Sequence, residues 1–207
     1  MTTTISRLYD NYADAQRAVS RLESAGVPHS DISIVANNSD NWYSPNAKVD
    51  RDRDGVDDRA EAAGAGAGIG GGLGGAAGLL AGLGILAIPG LGPVVAAGWL
   101  VSTAAGAAAG ALTGGIVGAL TQAGVLEDDA SRYAEGVRRG GTLVSARVPD
   151  ADKARLEPML DQSSVDLRRR SAAWQQSGWT GFDNASPPLA PDEIRREREL
   201  YGVGARS

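Results

Sequence analysis

The run in this chain with ligand chemistry is Asp50-Arg51-Asp52-Arg53-Asp54-Gly55-Val56-Asp57-Asp58-Arg59-Ala60-Glu61. Counted from Asp50, carboxylates stand at positions 1, 3, 5, 9 and 12 and glycine at 6, the spacing of an EF-hand calcium loop. Ca²⁺ gathers about six to eight oxygens, and alternate residues of a tight loop point inward to supply them. Asp50, Asp52, Asp54 and Asp58 would give carboxylates, Val56 its carbonyl, and Glu61 both oxygens. Asp57 departs from the pattern, because an aliphatic residue normally pairs with a sister loop there. Arg51, Arg53 and Arg59 soften the local field. The spacing points to a weak Ca²⁺ site, the one cofactor in prospect. The plainer reading is an acidic linker that opens a helix, since carboxylates suit a helix N-terminus.

Nothing else in the sequence assembles a reaction. There is no Cys and one His, His29, in a turn. A protein without enzymatic activity is expected. The net charge is −5, which argues against general nucleic-acid binding, and aromatics make up 5% of the chain, so no base-stacking platform is evident; no nucleic-acid partner is expected. The first residues, Met1 to Ser6, lack the basic and apolar regions of a signal peptide, which predicts a cytoplasmic protein.

The element that would have to position the acidic loop is the stretch that follows it. Residues 62–126 contain no Asp, Glu, Lys or Arg, and 20 of them are glycine. Gly66, Gly70, Gly74, Gly78 and Gly82 repeat every four residues, as do Gly106, Gly110, Gly114 and Gly118. That spacing places them on one helical face, where another backbone can approach closely. Glycine costs about 1 kcal/mol against alanine in a water-exposed helix, so the repeat requires close packing to offset it. The expectation is a glycine-zipper hairpin of two helices, 62–88 and 93–125, turned at Pro89-Gly90-Leu91-Gly92. Each half exceeds the about 20 residues needed to cross a bilayer. Ser102, Thr103 and Thr113 can bond back to their own helix. Two readings follow, insertion in a membrane or packing within a homo-oligomer.

Around this insertion the chain reads as a small domain. Residues 5–9 alternate as a strand. Asn11 caps a helix with Ala15, Ala18, Val19, Leu22 and Ala25 at helical spacing, closed by Gly26. Residues 32–36 form a second strand. After the insertion come a helix over 127–139, a strand over 142–148, a helix over 150–160 and a strand over 165–170. The predicted fold class is α+β: a ferredoxin-like split βαβ…βαβ domain interrupted by the Gly/Ala-rich helical hairpin. The divisions are 1–40, the acidic loop 41–61, the hairpin 62–126, the second half 127–170 and a tail 171–207. The tail is expected to be a linker with one short solvated helix over 192–200. Its aromatics, Trp174, Trp179 and Phe182, are expected to dock on the protein itself.

Three runs carry a resemblance. Ile5-Ser6-Arg7-Leu8-Tyr9 with Ala13-Asp14-Ala15-Gln16-Arg17-Ala18-Val19 resembles the general stress protein 17M-like, heat-induced stress protein family. Gly82-Leu83-Gly84-Ile85-Leu86-Ala87-Ile88-Pro89-Gly90-Leu91-Gly92-Pro93 is similar to low-temperature-induced bacterial proteins, as is Tyr133-Ala134-Glu135-Gly136-Val137-Arg138-Arg139-Gly140-Gly141-Thr142-Leu143-Val144. The resemblance implies stress-induced expression in bacteria and brings no catalytic residues with it. The expected protein is a general stress-response protein, self-associating, membrane-associating, or both. It would lie in the cytoplasm, at the inner membrane if the hairpin inserts. The alternative is a sensory module that binds a small ligand or Ca²⁺.

Overall fold

The structure is a computed structural model and describes residues 1–43, 83–100, 103 and 115–201. Strands β1 (Thr2–Tyr9), β2 (Ile32–Asn37), β3 (Gly84–Ile88), β4 (Gly92–Gly98) and β5 (Thr142–Pro149) form one sheet in the order β1-β5-β2-β4-β3. Every neighbouring pair is antiparallel. The helices are α1 (Tyr12–Ser24), α2 (Gly115–Gln122), α3 (Glu127–Arg138), α4 (Lys153–Asp161), α5 (Leu167–Gln176) and α6 (Pro191–Tyr201).

Local signals account for the first unit. Asn11 has extended backbone and its side chain accepts the Asp14 amide at 2.8 Å, which satisfies one orphan donor of α1. Gly26 follows at φ 92, a left-handed position that suits glycine and turns the chain toward β2. Period-two alternation then divides the side chains of the sheet between two cores. On one face Ile5, Tyr9, Ile34, Val144 and Val148 pack under α1 and α4, against Val19, Leu22 and Leu160. On the other, Leu8, Val35 and Leu143 pack under α2 and α3, against Leu120, Ala134 and Val137. With both faces covered, β2 is buried along its whole length.

The helical hairpin expected over 62–126 is not what forms in its described middle. Residues 84–88 and 92–98 are strands, and they extend the sheet from β2 outward. The physical reason is that a short uncharged run containing Ile, Leu and Val suits a strand as well as a buried helix, and β4 is buried along most of its length. The Pro89-Gly90 turn, with Gly90 at φ 77 and Leu91 N donating to Ile88 O at 3.0 Å, closes a β-hairpin rather than joining two helices. A side chain off the four-residue repeat should matter less than one on it, and Gly98 is such a position. It does not have the room. It sits at φ 92, and a Cβ there would overlap Ile32 O on β2.

The expected fourth strand over 165–170 is also corrected. Val165 N gives one bond to Leu8 O, at 2.8 Å, and the chain then turns into α5. Asp166 caps that helix by accepting Arg169 N at 3.1 Å, and Ser171 and Trp174, three residues apart, face inward. The order β1-β5-β2 is the one a ferredoxin-like sheet requires, but no strand lies beyond β1 among the described residues. The β3–β4 hairpin instead widens the sheet on the β2 side, so the ferredoxin-like arrangement is not completed.

Candidate functional site

The residues singled out for metal chemistry, Asp50, Asp52, Asp54, Val56, Asp58 and Glu61, lie outside the described residues, as do Gly66, Gly70, Gly74, Gly78, Gly82, Gly106, Gly110 and Gly114. Gly118 is on α2, and a Cβ there would meet nothing within 4 Å. Among the described residues it therefore borders no close backbone approach. His29 is exposed in a short turn between α1 and β2. Among the described residues no group of three or more His, Cys, Asp or Glu could hold a metal ion.

What the fold does bring together is charge, at the end of the sheet where α3 runs into β5. Glu135 is fully buried. Its Oε1 accepts Arg139 Nε at 2.6 Å and lies 3.6 Å from Arg138 Nη1, so two cations of the last helical turn flank one carboxylate. The spacings of three and four residues put all three on one face of α3. Gly136, beside Glu135, packs against Leu8 so closely that a Cβ would strike the leucine side chain. The helix is thereby drawn down onto β1.

The C-terminal helix closes over this cluster. Ile194 is fully buried, and its Cγ2 lies where a Cβ on Gly140 would stand. One turn on, Glu197 accepts Arg139 Nη1 at 2.8 Å, and Arg198 pairs with Asp40 and donates to Gly140 O at 3.2 Å. Another turn on, Tyr201 O accepts Arg170 Nη2 at 3.0 Å, and its ring lies 4.7 Å from that guanidinium. Arg170 also reaches Asp10 at 3.0 Å, and Arg139 lies 5.2 Å from the Trp174 ring. Positions 194, 197, 198 and 201 follow the i, i+3, i+4, i+7 spacing of a helix seated in a groove. The expected solvated helix is a docked one.

The segment leading to α6 is tied down too. Phe182 N donates to Ser131 Oγ at 2.9 Å, Pro187 O accepts Arg138 Nη2 at 2.9 Å, and Phe182 and Pro188 fill the space where side chains on Gly90 and Gly92 would stand. Trp174 is buried and Trp179 packs edge-on against it at 5.8 Å. The tail aromatics dock within the chain, as expected. The enclosed space among Arg139, Arg170, Trp174 and Glu197 is about 10 Å³, the room of about one water. Its charges are matched cation to carboxylate. This is a clamp, with no room for a substrate.

Burial shifts the tyrosines of both cores. Tyr9 donates to Leu160 O and Tyr133 to Ser6 O, each at 2.6 Å, and desolvation raises both phenols above their ordinary value. Tyr12 is raised by the same cause. A raised phenol stays neutral, so these groups serve packing and hydrogen bonding rather than proton transfer near neutral pH.

The clamp was missed in the sequence because its members are far apart along the chain. The inward spacing of Ile194, Glu197, Arg198 and Tyr201 was the available signal, and it was masked by the charge of the surrounding helix.

Fold and site together define a mixed α+β domain braced by its own C-terminal helix, with no helix among the described residues long and apolar enough to cross a membrane. Residues 4–84 match the family model described as heat induced stress protein YflT domain. The match runs from β1 through α1 and β2 to the first residue of β3, and confirms the resemblance seen in the first βαβ unit. No curated protein and no solved structure matches the chain.

Proposed function

We propose that this is a non-enzymatic general stress-response protein that works by self-association, using the uncharged glycine-rich stretch as its contact. The match of residues 4–84 to a heat-induced stress protein domain supports the stress-response part. The single observation that carries the rest is the seating of β3 and β4. Both come from the uncharged stretch, and both are hydrogen-bonded into the sheet beside β2. Residues 84–98 of the stretch are therefore part of the domain's sheet.

Light scattering on Gly74→Leu and Gly110→Leu, with vesicle flotation of the same samples, tests this reading. A side chain forced between two close backbones costs about 1–3 kcal/mol. Both variants are expected to give smaller assemblies than the parent protein. Unchanged assemblies would remove the glycine repeat from the contact, and flotation of the parent with lipid would replace self-association by membrane binding.

A further inference from the structure

The two edges of the sheet are treated very differently. On β1 two of the outward carbonyls, those of Ser6 and Leu8, are taken. Ser6 O accepts Tyr133 Oη at 2.6 Å and Arg7 Nη1 at 2.8 Å, and Leu8 O accepts Val165 N at 2.8 Å. That edge cannot add a strand without breaking those bonds.

On β3 the opposite holds. Pro93 on β4 has no N–H, and its carbonyl accepts Asn38 N at 2.9 Å, on the β2 side. The pair Ala87↔Pro93 is thus a non-hydrogen-bonded one, and by alternation so is Ile85↔Val95. The backbone groups of Ile85 and Ala87 consequently point out from the far edge of β3, and no bond to them is found among the described residues. Ile85 is 40% exposed. An edge strand kept apart from its neighbours normally carries a charge or an inward proline, and β3 carries neither.

We propose that β3 is the self-association surface, and that its partner is the β3 of a second copy of this chain, paired antiparallel about a two-fold axis. This rests on the self-association reading above and names its surface. The charge pattern favours a second copy. Residues 83–100 contain no Asp, Glu, Lys or Arg, so two copies meet without placing like charges opposite one another. Centring the axis on Leu86 sets Ile85 against the partner's Ala87 and Ala87 against the partner's Ile85, a large side chain against a small one each time. Those two pairs exchange about four interchain N–H···O=C bonds, using the outward groups of both strands. The axis also brings the two Leu86 residues face to face as a non-hydrogen-bonded pair, with Cα atoms about 4.5 Å apart. The combined sheet ends on β1 at both sides, where the bonds to Ser6 O and Leu8 O stand in the way of a further strand and favour a closed dimer.

The experiment is size-exclusion chromatography with light scattering on the full chain and on Ala87→Pro, Ile85→Lys and Leu86→Cys. Ala87→Pro deletes an N–H that the β3–β4 ladder does not use, so fold is kept while the outward bond is lost. A dimeric parent, monomeric folded Ala87→Pro and Ile85→Lys, and a disulfide-linked Leu86→Cys dimer under mild oxidation are expected. The chain has no cysteine of its own to confuse that crosslink. A parent that associates while both folded variants associate equally, or a Leu86→Cys protein that does not crosslink, overturns the β3 surface and leaves self-association standing. A parent that is monomeric throughout overturns both. Slow amide exchange at Ile85 and Ala87 in such a monomer would show that the chain covers this edge with its own residues.

Discussion

Arg139 donates through Nε to the fully buried carboxylate of Glu135 at 2.6 Å, one helical turn away on α3. The same guanidinium reaches Glu197 on α6, so this one ion pair ties the end of α3 to the tail. Removing one partner of a buried pair costs more than the pair itself contributes, because a desolvated charge is left behind. Glu135→Gln is therefore expected to cost about 3 kcal/mol in urea unfolding. A loss within a few tenths of a kcal/mol would mean that solvent compensates both arginines.

Three glycines should respond to alanine with different signs. Gly98→Ala places a Cβ on backbone at Ile32 and forces a left-handed φ on alanine, so a loss of several kcal/mol is expected, on the order of the large strain effects. Gly136→Ala meets only the flexible end of Leu8, and about 1–3 kcal/mol is expected. Gly118→Ala meets nothing in a helix, and a gain of about 0.5–1 kcal/mol is expected. Thermal unfolding of the three variants checks the ranking. A Gly118→Ala protein less stable than its parent would place that face of α2 in a contact beyond the described residues.

Alkaline pH should unfold the domain. Tyr9, Tyr12 and Tyr133 have folded values raised by burial, so the unfolded chain releases their protons first. Their contribution is fully present below the unfolded value of about 10 and is lost as pH rises toward the folded values. Circular dichroism against pH should show the loss beginning above about pH 10. Tyr12→Phe removes a hydroxyl buried without a partner among the described residues, and its transition should move to higher pH. A transition that stays in place would assign the loss to the other phenols.

The hold on α6 should weaken with salt. Its contacts are mainly partly exposed charge pairs, Glu197 with Arg139 and Arg198 with Asp40, around one buried aliphatic side chain, Ile194. Screening acts over about 10 Å at 0.1 M ionic strength and shortens as salt rises. Amide exchange in α6 is expected to quicken from low to high salt while exchange in β5 does not change. Equal protection at both would make Ile194 and backbone bonds the real anchors.

Much of the split domain was legible because its signals are local. Asn11 at a cap, Gly26 past a helix, the alternation through Val144, Ala146 and Val148, and the acids and arginines at the two ends of α3 each fix one element by themselves. The β3–β4 hairpin was not legible for the opposite reason. Val94 and Val95 pair with β2, Ile85 and Leu86 pair with them in turn, and an uncharged run gives no periodicity to separate a buried strand from a buried helix. The four-residue glycine spacing suggested helix and outweighed the β-branched residues. The stretch after Val165 failed differently: Asp166 and the inward pair Ser171 and Trp174 mark a helix in place of the strand expected over 165–170. The clamp depends on Asp10, Asp40, Glu135 and Arg198, and only the fold brings those together.

Sedimentation velocity of the full chain over a wide concentration range tests the central claim most directly. The account predicts a folded species of at least twice 21.2 kDa that dissociates on dilution. A folded species of 21.2 kDa at every concentration would contradict it.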